Sequence, residues 1–209
     1  MVKEGFPYVL VPAVFALLFA YFQLWAVAGL LAAVAGFMAF FFRDPYRDVP
    51  EGDDIIVSAA DGKVTRISED EKGKLVSVFL SPFDVHVNRS PIAGIVERVE
   101  FIPGRKVPAT RGDASLVNER NSLTIKGERM TVVCTQIAGI VARRIVCWND
   151  EGDSLALGQR FGLIKFSSRT DLLMPHQIEI LVKVGDRVVG GETIIGRLPR
   201  SEINGTAGT

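Results

Sequence analysis

The sequence predicts a mainly β protein, a barrel-sandwich-hybrid-like β domain carried behind an N-terminal apolar helical membrane hairpin. Three observations predict it. From Gly5 to Phe42 there is no Asp, Glu, Lys or Arg. From Ile55 onward, short β-type runs are broken by Gly, Pro and Asp, and few segments keep a helical period. Finally, Val182-Lys183-Val184-Gly185-Asp186-Arg187-Val188-Val189-Gly190-Gly191-Glu192-Thr193-Ile194 has the V-x-x-G-D-x-V-x-x-G-x-x-I form of barrel-sandwich hairpins.

The apolar run is roughly twice the ~20 residues that one spanning helix needs. Two short helices with a turn near Gln23–Trp25 fit it better than one straight helix. Lys3 precedes the run and Arg43 follows it, so the positive-inside rule places both ends in the cytoplasm. A signal peptide fits poorly, since its apolar core is much shorter. Pro7, Pro12, Gly29 and Gly36 interrupt the pattern and leave a re-entrant or interfacial hairpin open. The junction Phe40-Phe41-Phe42-Arg43-Asp44-Pro45-Tyr46-Arg47 sets aromatics and arginines at headgroup level. The arginines either contact anionic lipid or set topology. Three segments follow: 1–45 as the membrane-anchoring hairpin, 46–200 as the β-rich domain and 201–209 as a flexible tail.

Expected strands are Ile55–Ser58, Gly62–Ile67, Leu75–Leu80, Gly94–Phe101, Ser122–Lys126, Thr131–Ile137, Arg144–Cys147, Arg160–Phe166, Leu172–Met174, Glu179–Lys183 and Thr193–Leu198. Many short strands with frequent turns argue for a barrel or sandwich. Ala60-Asp61-Gly62-Lys63-Val64 resembles the start of the hairpin that matches the V-x-x-G-D segment. A carrier domain would show a modifiable lysine at an exposed hairpin tip, and none is present.

Composition excludes several function classes. The chain of 209 residues has 24 basic and 24 acidic side chains, a net charge of zero, which gives no support for nucleic-acid binding. Its mean hydropathy is +0.25, high for a soluble protein. Two histidines and two cysteines, Cys134 and Cys147, without ligand spacing do not make a zinc site, and no metal is expected. The cysteines read as small hydrophobes in a reduced core. There is no G-x-S-x-G elbow and no phosphate-binding loop.

Three places could carry chemistry. His86 lies in the polar, proline-bounded stretch Ser81-Pro82-Phe83-Asp84-Val85-His86-Val87-Asn88-Arg89-Ser90-Pro91 and could act as acid or base near neutrality. Asp61 follows an apolar strand, although Asp-Gly is first of all a turn signal. Ser167-Ser168 ends the strand-like run Arg160–Phe166. Two small residues there permit the Ser168 hydroxyl to approach the carbonyl of Ser167. His176, in Met-Pro-His-Gln, reads as a surface or loop residue.

At these residues the sequence resembles the short, membrane-associated (type A) form of the pyruvoyl-dependent phosphatidylserine decarboxylase family. The resemblance covers nearly the whole chain. Its motifs are Phe-Phe-Arg-Asp-Pro after the apolar run, Ala-Asp-Gly at Asp61, Ser81–His86, Asn118–Asn121, Ala138–Arg144 and Arg160–Phe166.

The resemblance implies a proenzyme that cuts itself between Ser167 and Ser168, giving a large subunit of 1–167 and a small subunit of 168–209. Ser168 attacks the preceding carbonyl, and β-elimination with loss of ammonia leaves a covalent pyruvoyl group as cofactor. That carbonyl takes the amine of phosphatidylserine in a Schiff base, and carbon dioxide leaves to give phosphatidylethanolamine. Asp61 matches an acidic residue needed for cleavage, and His86 a histidine used in catalysis. The expected setting is the cell membrane, with the catalytic domain on the cytoplasmic side. Phosphatidylserine in the membrane is the partner, and a homodimer follows by analogy.

Two positions depart from the family pattern. The residue before the cleavage serine is usually Gly and is Ser167 here. The longer bacterial form has a second histidine where this chain has Arg89, so either His86 serves both steps or Asp61 and water share the proton work. Two other readings compete. A non-catalytic, membrane-tethered barrel-sandwich adaptor would remain one intact chain. A pyruvoyl enzyme for a soluble amino acid would gain nothing from the anchor.

Overall fold

The computed structural model describes residues 1–105, 107, 117–139, 144–165 and 168–199. After a 3-10 turn at Lys3–Gly5, helix α1 runs over Phe6–Tyr21 and helix α2 over Trp25–Phe41. They pack against each other as a hairpin, turned at Gln23 with φ 62°. At 16 and 17 residues they are about 24 and 26 Å long, just under a ~30 Å hydrocarbon layer. Large apolar side chains face outward all along both, including Leu10, Val14, Leu17, Phe22, Trp25 and Leu30. A water-soluble helix hides its apolar stripe, so this exposure fits a lipid surround.

Fourteen strands follow among the described residues. They are β1 (Ile55–Val57), β2 (Gly62–Asp70), β3 (Gly73–Leu80), β4 (Val87–Arg89), β5 (Gly94–Ile102), β6 (Arg120–Lys126) and β7 (Thr131–Ala138). Then come β8 (Ile145–Cys147), β9 (Ser154–Leu155), β10 (Arg160–Ile164), β11 (Ser168–Met174), β12 (Glu179–Ile180), β13 (Arg187–Val188) and β14 (Ile194–Arg197). The large sheet has the order β13-β2-β3-β11-β7-β6-β5-β9. Two three-stranded sheets, β1-β14-β12 and β4-β10-β8, accompany it. The protein is mainly β, as the sequence predicts.

Alternation builds the main core. One face of the large sheet carries Val76, Val78, Leu123, Ile125, Val132, Cys134, Leu172 and Met174, packed with Ile56, Val64, Phe161 and Ile195. A smaller cluster joins Phe41 and Phe42, at the end of α2, to Val2, Val85, Val87 and Leu163. It seats the hairpin on the β4-β10-β8 sheet.

Most expected strands are present with shifted ends. The largest difference is β11, which begins at Ser168 where alternation placed a strand only from Leu172. Its polar start, Ser168-Arg169-Thr170-Asp171, hides the strand from any apolar pattern, yet all four residues are buried. β4, β9 and β13 are too short to leave a period in the sequence. The expected pairing of the Gly62 segment with the V-x-x-G-D segment is present as β2 with β13, Lys63 facing Arg187. The Phe166 end of one expected strand, part of the Ala138–Arg144 motif and the 201–209 tail lie outside the described residues. Cys134 is buried and Cys147 half-buried, both as free thiols, and burial pushes both thiols up.

Gly62 has φ +147°, and a Cβ there would sit 2.1 Å from the Phe79 carbonyl oxygen. Gly62→Ala is therefore expected to destabilise the fold by about 2–4 kcal/mol, read as a lower thermal unfolding midpoint with secondary structure retained.

Candidate active site

Two chain segments leave the large sheet side by side. β3 ends at Leu80, which pairs with Ser168 at the start of β11. The chain beyond Leu80 reaches His86 just before β4, while β10 ends at Ile164 before the chain enters β11. The Ile164 N–H donates to the His86 carbonyl at 3.3 Å. His86 and Ser168 are thus bracketed by one strand pair and one cross-chain bond, at the seam between the large sheet and the β4-β10-β8 sheet. The seam is braced by buried amides. Asn88 Nδ2 donates to the Ala59 carbonyl and to Thr170 Oγ1, and Gln136 Nε2 donates to Asn88 Oδ1 at 2.9 Å. Asn121 Nδ2 donates in turn to Gln136 Oε1. Strands β4, β6, β7 and β11 are locked together in this way.

Ser168 lies between Leu80 of β3 and Ala138 of β7 and is fully buried. Its hydroxyl has no hydrogen-bond partner among the described residues. A buried hydroxyl without a partner costs on the order of 1–3 kcal/mol, so such groups are uncommon and each calls for an explanation. Ser167 lies outside the described residues.

His86 is 1% exposed and stacks on Phe41 with ring centres 4.1 Å apart. Its Nδ1 lies 3.0 Å from the Asp84 carbonyl oxygen, an acceptor only, so Nδ1 carries the proton. Nε2 is then the basic nitrogen, and it too is buried without a partner among the described residues. Burial pushes the imidazole from 6.5 down to about 4, against the pull of the Asp84 carbonyl and charge. At neutral pH it is an uncharged base.

Asp84 is held in place by its own turn. The Ser81 N–H and hydroxyl donate to Oδ2, and Arg187 donates to Oδ1 at 2.9 Å. Asp61 stands on the other side of β3 from Ser168, since β3 lies between β2 and β11. Two strand spacings put them ~10 Å apart. Arg47 Nη2 donates to both Asp61 oxygens, at 2.9 and 2.8 Å, and the Gly190 N–H donates to Oδ1. Burial raises the Asp61 carboxyl, opposed by these donors. The structure therefore brings the chain segments that carry Ser168 and His86 to one seam, and Asp61 lies across β3 from Ser168 in an ion pair.

Nothing in the sequence marks Arg47 as the partner of Asp61; an arginine at a membrane junction reads as a lipid contact or a topology signal. Its side chain is 9% exposed and turned inward. Arg43 likewise donates to the Phe40 and Phe83 carbonyls. Arg89, at the place of a second family histidine, donates to Asp44 Oδ1 at 2.7 Å, to the Pro45 carbonyl and to the Gly158 carbonyl. It clamps the linker after α2. His176 is exposed and bonds Glu69, as a surface loop residue would. No cluster of His, Cys, Asp and Glu able to hold a metal occurs among the described residues.

Residues 34–196 match the family model described as phosphatidylserine decarboxylase. A phosphatidylserine decarboxylase proenzyme of Symbiobacterium thermophilum is 47% identical over 208 residues, 95% of each chain. Proenzymes of the same name from Carboxydothermus hydrogenoformans and Syntrophus aciditrophicus are 44% and 42% identical. The match covers 95% of this chain and 96% of the first, and 93% and 95% for the second. The chain belongs to the phosphatidylserine decarboxylase family.

A histidine whose folded pKa lies below its unfolded value binds its proton more readily in the unfolded chain. Its contribution to stability is present above pH 6.5 and is lost as pH falls from there through about 4. The loss amounts to about 3 kcal/mol at most. In His86→Gln, chemical denaturation between pH 7 and pH 4 is expected to show a correspondingly shallower loss of stability than in the wild type.

Proposed function

We propose that this chain is a membrane-bound phosphatidylserine decarboxylase, made as a proenzyme that cuts itself before Ser168 to give subunits 1–167 and 168–209. The observation that carries the reading is the pair of buried, unpartnered atoms at the seam, Ser168 Oγ and His86 Nε2. Membership of a family whose relatives are named proenzymes supports it.

In this reading His86 Nε2 takes the proton of the Ser168 hydroxyl, and the Oγ attacks the carbonyl of Ser167. The Ser167–Ser168 amide becomes an ester, its nitrogen taking up a proton. Removal of the Ser168 α-proton expels the Ser167 carboxylate by β-elimination. The dehydroalanine left at 168 takes up water and releases ammonia, leaving a pyruvoyl group. The strand pairs at Leu80 and Ala138 hold residue 168 still throughout. Asp61 keeps the adjoining edge in place through Arg47 and the Gly190 N–H. Arg89 is committed to Asp44 and Asp61 to Arg47, so in this reading His86 serves both steps.

The seam fits a pyruvoyl group. Position 168 is dry, lies at a strand start and has no bond that loss of its hydroxyl would break. Such a group, held at position 168 between Leu80 and Ala138, would supply an electrophilic carbonyl for the lipid amine and an electron sink for the bond to the departing carboxyl carbon. In this reading the His86 imidazole would return a proton to the carbon that has lost carbon dioxide. The hairpin 1–45 holds domain 46–200 at the bilayer surface, and Lys3 and Arg43 put that domain on the cytoplasmic side.

Intact-mass measurement of the purified protein tests this. The expected result is two chains, the smaller starting at residue 168 and about 17 mass units below its unmodified sum, as loss of ammonia requires. Ser168→Ala is expected to stay whole and inactive. A single species at 22.8 kDa for the wild type would contradict the proposal and favour a non-catalytic adaptor.

A further inference from the structure

Lys165 is 8% exposed, and no carboxylate pairs with it among the described residues. Its ammonium lies 5.2 Å from the centre of the Tyr8 ring. A lysine whose stem is this well covered while no carboxylate meets its head is unusual, since lysines are seldom buried unless paired. A cation–π contact with Tyr8 is a weak substitute for an anion. Lys165 is the residue after Ile164, which bonds His86, so this lone cation stands at the edge of the seam.

Tyr8 also lines an open groove of about 450 Å³ between α1 and α2, with Val11, Phe15, Leu31, Val34 and Met38. Every side chain lining the groove is uncharged. Above it the rings run without a break towards the seam. Tyr8 stacks on Phe42 at 5.2 Å, Phe42 meets Phe41 at 5.0 Å, and Phe41 meets His86 at 4.1 Å. An apolar groove at membrane depth, a lone cation at its mouth and a basic imidazole beyond follow the order of a phospholipid from tail to headgroup.

We propose that the α1–α2 groove takes one acyl chain of the phospholipid substrate and that Lys165 binds its phosphodiester. This rests on the function proposed above. The phosphodiester is preferred to the serine carboxylate on physical grounds. A cation on the carboxylate would stabilise charge that must disappear as carbon dioxide leaves, and so would slow the reaction. The phosphodiester keeps its charge throughout, so binding it stabilises substrate and transition state alike. The signature of such uniform binding is a change in KM with little change in kcat.

The test compares diacyl phosphatidylserine in mixed micelles with glycerophosphoserine, which has no acyl chains. Lys165→Gln is expected to raise KM for both by about tenfold or more with kcat nearly kept, and Lys165→Arg to restore part of it. Leu31→Trp, which fills the groove, is expected to cut the preference for the diacyl substrate by about tenfold. Leu30→Trp, on the neighbouring outward-facing position, is expected to leave that preference intact. Native mass spectrometry of uncut Ser168→Ala with phosphatidylserine supplies a readout independent of catalysis. Lipid retention is expected there and is expected to be lost in Ser168→Ala/Leu31→Trp. A collapse of kcat in Lys165→Gln, or equal effects of Leu30→Trp and Leu31→Trp, would overturn the inference while leaving the decarboxylase reading in place. A wild type that neither cuts itself nor decarboxylates would overturn that reading, and lipid retention would still report on the groove.

Discussion

The structure turns on the position of β11. Because this strand sits between β3 and β7, its first residue is paired on both sides and closed off from water. Water would otherwise satisfy the Ser168 hydroxyl. On the proposed reading it would also compete for the carbonyl under attack, and sealing residue 168 in the sheet removes that competitor. It also imposes a cost, since a buried hydroxyl and a buried imidazole nitrogen are left without partners. The apolar core on the same sheet face and the amide network through Asn88 and Gln136 offset that cost.

A second constraint joins the membrane segment to the seam. Residues 43–49 are a strap and not a loose linker. Asp44 binds Arg89 and Arg160, Arg47 binds Asp61, and Val49 packs against Gly158. With Phe41 stacked on His86, the end of α2 is built into the proposed site. On the proposed reading, a bilayer that orients the hairpin thereby orients the imidazole, which suits a substrate that cannot leave the membrane.

Much of this was legible in the chain. The charge-free run with a polar break at Gln23 foretold the two helices, and alternation foretold strands such as β3 and β7. The motif around Ser81–His86 and the position of Ser168 pointed to residues whose chain segments the fold brings to one seam. Other features were hidden for physical reasons. The start of β11 is polar because one face serves the seam and the other holds the buried Arg169–Asp171 pair, so no apolar period marks it. The Arg47–Asp61 pair joins residues on either side of β1, and charge at a membrane junction reads first as topology. Lys165 looks like an ordinary strand-end lysine until its burial and its contact with the Tyr8 ring are known.

The central claim is that Ser168 is the nucleophile and that a neutral, buried His86 is its base. The most direct test is the pH dependence of self-cleavage in freshly translated proenzyme, followed by the appearance of the small chain. A base whose pKa is pushed down to about 4 predicts a rate that holds from pH 8 to about 5 and falls only as pH approaches 4. His86→Ala is expected to abolish that acid limb together with most of the rate. An acid limb near pH 6.5, or a rate indifferent to His86→Ala, would contradict the account.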